Sequence, residues 1–327
     1  MDIQRRAFGF AAAGLFTCGP VVFAQPRWVA RVGWLGLVQS KDPSSPSVPL
    51  AGLRAGLRER GWVEGRNLVI EARHGGFDNA KDLTAELVQA KVDLIVVEGG
   101  MIFRARPFAG ATPLLFHVNG DPVAANLVQS YAHPGGTMTG VTNLSAEMSG
   151  KRVELLNAAL PQMTRCAAIA NQGHPGWQVE SDATQAAAQR LKLELTWLPV
   201  YTASDFSAAL DAVARSGAQG LIAVPDNLMV NQAKTIAEFC MQRQIPAISG
   251  LGEFTAAGNL MSYGPTQQDV YAKLAVYADK VLRGAKPGEL PVENPTRFEL
   301  VFNLKVARAL KLKVPQLMLL RADRVIE

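Results

Sequence analysis

The chain has 327 residues, a length that suits two domains of ordinary size. Hydrophobic residues make up 48% of it and charged residues 19%, proportions typical of a globular protein and unlike those of a disordered one. The net charge is +5, and because the lysines and arginines are scattered without forming a basic run, we expect no nucleic-acid partner.

The first residues have the organisation of an export signal. Two arginines precede an apolar run over residues 7–16, and a small-residue exit ends at Ala24. This pattern predicts a secretory signal peptide over residues 1–24, because the apolar run is too short for a lasting membrane span. The paired arginines resemble a twin-arginine signal, and the general secretory route stays open. Lipid anchoring at Cys18 is an alternative that the preceding threonine does not favour. We therefore expect an exported, periplasmic protein.

From residue 29 onward, short apolar runs alternate with amphipathic segments. A continuous apolar run predicts a buried strand, and leucines at helical spacing predict a helix. The first half of the chain therefore predicts strands at 30–37, 67–73, 93–97 and 112–118, with helices from Leu50 to Gly61 and at 78–90. This alternation favours a parallel sheet covered by helices on both faces.

The second half of the chain repeats the pattern of the first half. Strands are predicted at 165–170, 193–200, 220–224 and 245–249, and helices at 177–190, 204–217 and 227–243. We interpret the repetition as two similar, doubly wound α/β lobes with parallel sheets, the first at 29–143 and the second at 144–262.

The last part of the chain, from about residue 258, is too short for a third domain. It predicts a long helix at 266–283, a connector rich in Gly and Pro at 284–295, and a strand at 297–304. We expect it to cross back between the lobes, so that about 264–292 completes lobe 1 and about 296–327 completes lobe 2.

The segment "HPGGTMTGVT", residues 133–142, imitates a phosphate-binding loop, with Val141 where that loop has its lysine. A true P-loop joins a strand to the helix that follows. Here the glycines are expected to follow a helix at about 123–131 and to precede a strand, so they predict a helix stop and a turn. We interpret the segment as the first hinge crossing, with Val141 facing the core.

Ligands of open parallel sheets bind beyond the carboxyl ends of the strands. Glycines at those ends admit a ligand close to the backbone, helix N-termini offer N–H groups to an anion, and carboxylates accept hydrogen bonds from an ammonium group. This combination suits a zwitterion such as an amino acid, although an Asp or Asn after a strand also serves as a helix cap. The candidate ligand contacts at these ends are Gln39, Ser40, Glu98, Gly99, Gly100, Asp121, Asn171, Asp226, Asn227 and Glu253. Trp177, at the start of a helix, is a candidate both for lining the cleft and for packing.

Signatures of catalysis, metal and cofactor binding are missing from the sequence. There is no G-x-S-x-G motif, no complete P-loop and no metal-ligand spacing, and the four histidines lie far apart. We therefore expect no enzyme activity, no cofactor and no metal. Cys166 and Cys240 both lie in apolar segments, where a free cysteine packs as a small hydrophobe. An oxidising compartment also permits a disulfide between them, and the sequence leaves both options open.

Several long motifs in fixed order resemble the ABC-transporter substrate-binding proteins of the tryptophan/tyrosine type. The likeness extends from about residue 31 to the C-terminus. Its motifs are residues 56–73, 120–142, 149–156, 258–265, 280–312 and the closing "LLRADRVIE".

The resemblance implies a periplasmic-binding-protein fold of the first type, in which hinge strands join two lobes around a small ligand. It also implies delivery to a membrane permease driven by a separate ATPase, and some relatives bind aromatic amino acids. Asp121, Asn143 and Asp226 keep the family pattern, which adds Asn143 to the candidate contacts. Glu98 and His174 depart from that pattern.

We therefore expect a monomeric, exported solute-binding protein that captures a small polar ligand, with amino acids, aromatic ones included, as the leading class. A sensor domain of the same fold, which would engage a signalling partner instead of a permease, is the first alternative. An enzyme on the same scaffold is the second, and the lack of a nucleophile–base set counts against it.

Overall fold

A computed structural model describes residues 29–37, 47–174 and 176–327 of the chain. The predicted signal peptide, the alternative anchor at Cys18, and the candidate contacts Gln39 and Ser40 lie outside the described residues.

Lobe 1 is built on a five-stranded sheet in which every neighbouring pair is parallel, in the order β2-β1-β3-β4-β5. Its elements are β1 (Ala30–Leu37), α1 (Val48–Glu59), β2 (Leu68–Gly75), α2 (Ala80–Gln89), β3 (Leu94–Glu98), α3 (Ile102–Ala105), β4 (Leu114–Val118) and β5 (Met138–Thr142). Every residue of β3 and β4 is buried, as expected of central strands covered on both faces.

Lobe 2 repeats this topology, because β7-β6-β8-β9-β10 corresponds strand for strand to the order in lobe 1. Its elements are α4 (Ala146–Ala159), β6 (Arg165–Asn171), α5 (Trp177–Arg190), β7 (Glu194–Val200), α6 (Phe206–Arg215), β8 (Gly220–Ala223), α7 (Asn227–Asn231), α8 (Ala233–Arg243), β9 (Ala247–Ser249), α9 (Gly252–Ala256) and β10 (Met261–Gly264). The predicted fold class, two similar doubly wound α/β lobes, is confirmed.

The remaining chain serves both lobes. Its elements are α10 (Gln267–Leu282), β11 (Glu299–Asn303), α11 (Leu304–Ala309), α12 (Gln316–Arg321) and β12 (Arg324–Ile326). Helix α10 returns to lobe 1 and packs on α1, where Gly56 permits the approach: a Cβ at that position would lie 2.7 Å from the Cβ of Ala275. Strand β11 then joins lobe 2 antiparallel to β10, and β12 extends the sheet. The chain thus passes between the lobes after β5, after β10 and before β11.

Two local predictions were wrong. Residues 123–131 form turns and not a helix. The Oδ1 of Asp121 accepts hydrogen bonds from the backbone N–H groups of Val123 and Ala124, and Asn126 adopts a left-handed φ of 54° that a helix cannot continue. The single helix predicted at 227–243 is two helices, α7 and α8, separated at Gln232.

Each lobe has one hydrophobic cluster on each face of its sheet. Val141 is fully buried in lobe 1, which confirms the prediction that it faces the core. Cys166 and Cys240 are free thiols in clusters on opposite faces of the lobe 2 sheet, so they form no disulfide with each other. Burial raises the pKa of Cys166 to about 11 and that of Cys240 to about 12, so both remain unreactive thiols. No helix among the described residues combines the length and the apolarity needed to cross a membrane.

Candidate ligand-binding cleft

A cavity of about 460 Å³, which we call the main cavity, lies between the two lobes at the carboxyl ends of their strands. Its volume falls in the range of small-molecule sites, roughly 300–1,000 Å³. Its described lining residues are Phe77, Gly99, Gly100, Phe103, Arg104, Val118, Asn119, Gly120, Asp121 and Ala125 from lobe 1, and Asn171, Gly173, His174, Asp226, Leu228 and Asn231 from lobe 2.

The lobe 1 wall combines bare backbone with aromatic rings. Gly99 and Gly100 follow β3 directly, and Gly99 has a φ of 56°. The ring of Phe77 lies over Gly100, because a Cβ at Gly100 would be 3.2 Å from the ring's Cε1. Phe103 and Arg104 come from the short helix α3. The glycines thus leave room for rings beside exposed backbone groups.

Arg104 is the cationic residue of this wall. Its side chain is exposed, and no carboxylate among the described residues lies within ion-pair distance of it. A guanidinium group presents a planar fork of donors that matches a carboxylate. The lobe 1 wall therefore offers a positive charge that the described part of the chain does not neutralise.

The carboxylate of Asp121 is held by its own turn. Besides the two backbone donors of that turn, the hydroxyl of Tyr131 lies 3.5 Å from Oδ1. Burial, reinforced by this carboxylate, raises the pKa of Tyr131 to about 12. Asp121 is thus oriented by neutral donors at the edge of the cavity.

The lobe 2 wall centres on Asp226, which is only 6% exposed. Its Oδ1 accepts the backbone N–H of Met229 at 2.8 Å, which caps α7, and its Oδ2 accepts Nδ2 of Asn171 at 2.7 Å. Asn171 is fixed in turn, because its Oδ1 accepts the backbone N–H of Gly173. Both hydrogen-bond donors of Asp226 are neutral, and no described cationic side chain pairs with it. A carboxylate this buried is stabilised by a positive partner, which the described chain does not provide.

His174 lies beside Asp226 in the same wall. Burial lowers its pKa below the ordinary 6.5, and the nearby carboxylate of Asp226 opposes that shift only in part. The imidazole is therefore neutral at neutral pH. Its Nε2 is buried and has no hydrogen-bond partner within the described structure.

A second, much smaller cavity of about 10 Å³, the hinge cavity, lies next to the main one and shares Asn119 with it. Asn143 lines it and donates from Nδ2 to Oδ1 of Asn119 at 2.9 Å. From lobe 2 it is closed by Arg152 and Glu180, whose charged atoms are 3.8 Å apart. Burial raises the pKa of Glu180 to about 7 although Arg152 acts in the opposite direction. The hinge cavity has room for about one water molecule and therefore cannot hold an amino acid.

The two lobes touch at Gly176, just before α5. It has a φ of 94°, and a Cβ there would lie 2.8 Å from the backbone nitrogen of Asp121 and 3.0 Å from Leu144. Only glycine accommodates both this conformation and this approach. The contact marks a seam where lobe 2 meets the loop that follows β4.

The structure brings five of the predicted contacts to the main cavity: Gly99, Gly100, Asp121, Asn171 and Asp226. Glu98, Asn143, Trp177 and Glu253 do not line it. Glu98 is buried and accepts the backbone N–H of Leu37 through Oε2, Asn143 faces the hinge cavity, and Trp177 is half-buried outside the lining. Glu253 is exposed at a separate cavity of about 470 Å³, and Asn227 is described only as the first residue of α7.

Sequence reasoning missed several lining residues. Phe77 follows the end of β2, so the strand-end rule, applied to that strand as well, indicates this loop. Phe103, Arg104, Leu228 and Asn231 lie further along their loops and helices, and no sequence signal singles them out. His174 carried a signal as a departure from the family pattern. No group of three or more His, Cys, Asp or Glu side chains in the described residues is placed to hold a metal ion.

Comparison with known proteins agrees with this architecture. The model of a family described as ABC transporter substrate binding protein matches residues 43–326. A curated tyrosine-binding protein from Clostridioides difficile (strain R20291) is 24% identical over 284 residues, which cover 85% of this chain and 81% of that protein.

Two solved structures share the fold. One is a conserved domain protein from Vibrio cholerae, 24% identical, with a TM-score of 0.79 over 91% of this chain and 99% of that one. The other is a domain from Streptococcus pneumonia in complex with L-Trp, 23% identical, with a TM-score of 0.79 over 91% of this chain and 100% of that one.

Proposed function

Since this chain belongs to the ABC transporter substrate-binding protein family, we propose that it captures an α-amino acid as a zwitterion in the main cavity. Members of this family bind a small-molecule substrate outside the cytoplasmic membrane and work with an ABC permease. The proposal assigns the ligand's two charged groups to opposite lobes.

The observation that carries the proposal is that Arg104 and Asp226, neither paired with an opposite charge among the described residues, line one cavity from opposite walls. Arg104 of lobe 1 has no described acidic partner, and Asp226 of lobe 2 has only neutral donors. A ligand with a carboxylate for Arg104 and an ammonium group for Asp226 satisfies both. Backbone N–H groups at Gly99 and Gly100 lie on the same wall as Arg104 and add donors suited to the carboxylate.

The apolar part of the lining indicates the side chain of the ligand. Phe77 and Phe103 from lobe 1 and Leu228 from lobe 2 line the same cavity. Rings of this kind favour a large apolar or aromatic side chain through burial and ring contacts. The printed names of two similar proteins point the same way, since one is tyrosine-binding and the other was solved with L-Trp.

Binding and lobe closure are linked in this proposal. The three passages between the lobes form a hinge, and a ligand held from both walls stabilises the closed form relative to the open one. Closure excludes water, which strengthens the charged contacts. The closed protein then presents its ligand to the permease. We further propose that the mature protein is a periplasmic monomer, released by removal of residues 1–24.

Titration calorimetry on refolded, ligand-free protein tests the proposal. L-Tyrosine, L-tryptophan and L-phenylalanine are the probes. Two analogues of tyrosine are compared with them: tyramine, which lacks the carboxylate, and 3-(4-hydroxyphenyl)propionate, which lacks the ammonium group. We expect at least one amino acid to bind with micromolar or tighter affinity and each analogue to bind at least about 10-fold more weakly. An absence of heat and of thermal stabilisation with every amino acid would refute it.

A further inference from the structure

The Nε2 atom of His174 is a buried polar atom without a hydrogen-bond partner among the described residues, and His174 lines the main cavity. Of the buried side-chain nitrogen and oxygen atoms that lack a hydrogen-bond partner in the described residues, only this one belongs to a residue lining the main cavity. Leaving a buried polar atom unpaired is unfavourable, so a ligand that supplies its partner is favoured over one that does not. Because Nε2 has almost no accessible surface in this structure, the imidazole must turn toward the cavity for a ligand to reach that atom.

The charges around His174 indicate which ligand group completes it. Asp226, from the loop before α7, is the charged side chain of lobe 2 that raises the pKa of the imidazole against the effect of burial. Across the cavity the charged lining residues are Arg104 and Asp121. A ligand carboxylate placed at His174 would meet the buried carboxylate of Asp226. An ammonium group there is attracted by the carboxylate of Asp226, and it has further N–H donors that can bind Nε2 of His174.

We propose that Nε2 of His174 accepts a hydrogen bond from the ligand's ammonium group, so that His174 and Asp226 together form the ammonium subsite of lobe 2. This inference rests on the proposed function and adds to it a residue that determines specificity. It requires the neutral tautomer with the proton on Nδ1, because only an unprotonated Nε2 accepts. Burial of the ring, which keeps it neutral, is compatible with that role.

The sign of the pH dependence follows from this arrangement. The ligand binds the form with neutral His174, and a protonated imidazole both loses its acceptor and repels the ammonium group. The affinity is therefore constant from pH 8 to 7 and falls as the pH decreases through the lowered pKa of His174, below 6.5. A hydrogen bond to the ligand carboxylate predicts the reverse, a stronger affinity in acid.

Three variants test the proposal by calorimetry with L-tyrosine and L-tryptophan. His174→Leu removes the acceptor, and we expect its affinity to fall about 10- to 100-fold. His174→Gln keeps an acceptor that does not titrate, so it should stay within about threefold of wild type at pH 7 and lose the decline in acid. His133→Leu is the matched control, because His133 is exposed in a loop and does not line the cavity, and it should behave as wild type.

Ligand analogues identify the group that His174 contacts. With 3-(4-hydroxyphenyl)propionate, which lacks the ammonium group, His174→Leu should bind as the wild type does, whereas tyramine should lose as much affinity as tyrosine. An equal loss with the propionate analogue, an unchanged affinity of His174→Leu for tyrosine, or a rise in wild-type affinity toward pH 5 overturns the assignment. If L-tyrosine, L-tryptophan and L-phenylalanine all fail to bind wild-type protein, the proposed function itself fails. If an amino acid binds but any of these three results is found, the role of His174 is contradicted and the proposed function is not.

Discussion

The two walls of the main cavity differ in how their polar side chains are engaged. On lobe 2, Asp226 and Asn171 are fixed by hydrogen bonds to each other and to nearby backbone, so each has a structural task as well as a place in the cavity. On lobe 1, Arg104 and Phe77 are exposed side chains, and neither is in a hydrogen bond or ion pair with the described residues. The polar groups of the lobe 2 wall are thus pre-organised, whereas the lobe 1 wall combines one fixed carboxylate, that of Asp121, with the unfixed side chains of Arg104 and Phe77.

This difference indicates where binding free energy resides. Pre-organised groups lose little conformational entropy on binding, whereas an exposed arginine must be immobilised and is screened by water. We therefore expect substitutions on the lobe 2 wall to weaken binding more than equivalent ones on lobe 1. Three predictions test that ranking.

The largest effect is expected for Asp226→Asn. The substitution keeps an oxygen that can cap α7 but removes the buried negative charge, together with the oxygen that accepts from Nδ2 of Asn171. Removing one partner of a buried charge pair costs roughly 2–5 kcal/mol, so affinity for the amino acid should fall by about 100-fold. Calorimetry measures the affinity and thermal unfolding measures the stability. A loss of affinity below about fivefold would show that Asp226 caps α7 and does not bind the ligand.

An intermediate effect is expected at the seam between the walls, for Gly176→Ala. Its Cβ would press on the backbone of Asp121, so closure should become less favourable and affinity should drop about 20-fold. Small-angle scattering should then show a more open protein at saturating ligand.

Gly61→Ala is the matched control for the seam, because Gly61 has a similar φ of 87° but nothing within 4 Å of the position of its Cβ. Both variants should lose about 1–2 kcal/mol of stability from the left-handed backbone, and only Gly176→Ala should lose affinity. Equal affinities for the two variants would show that the seam does not limit closure.

The smallest of the three effects is expected for Arg104→Gln on the lobe 1 wall. An exposed guanidinium contributes little to stability, so the melting temperature should not change, and affinity should fall about fivefold at low salt. Arg106→Gln, two residues along and hydrogen-bonded to the carbonyl of Asn126, should not alter affinity. A loss for Arg104→Gln as large as that for Asp226→Asn would reverse the ranking of the walls.

Much of the fold followed from local patterns. The helix predicted at 177–190 coincides with α5, and the nine strands predicted with bounds lie within a few residues of β1–β4, β6–β9 and β11. Strand β12 was not predicted. Errors arose where side chains override the pattern, as at Asp121 and Asn126, whose turn geometry replaces the expected helix. The pattern of apolar residues at 123–131 does not indicate that a side chain will bind the backbone in this way.

The candidate site was predictable only as a location. The strand-end rule led to Gly99, Gly100, Asp121, Asn171 and Asp226, because in each lobe the carboxyl ends of the parallel strands lie at one edge of the sheet. The same rule also selected Glu98 and Glu253, which the structure places outside the main cavity. Being next to a strand end fixes the position of the backbone, and the direction of the side chain depends on what packs around it.

By itself the sequence determined the two-lobed α/β fold, because hydrophobic periodicity and turn residues are read locally along the chain. It also determined which loops surround the cavity, since strand order brings them together. Only the tertiary structure decided that Arg104 and Asp226 lie on opposite walls of one cavity. It alone also showed that a buried nitrogen of His174, a lining residue, has no partner among the described residues. Those features depend on contacts between residues far apart in the sequence, and no local pattern encodes which side chains such packing leaves without a partner.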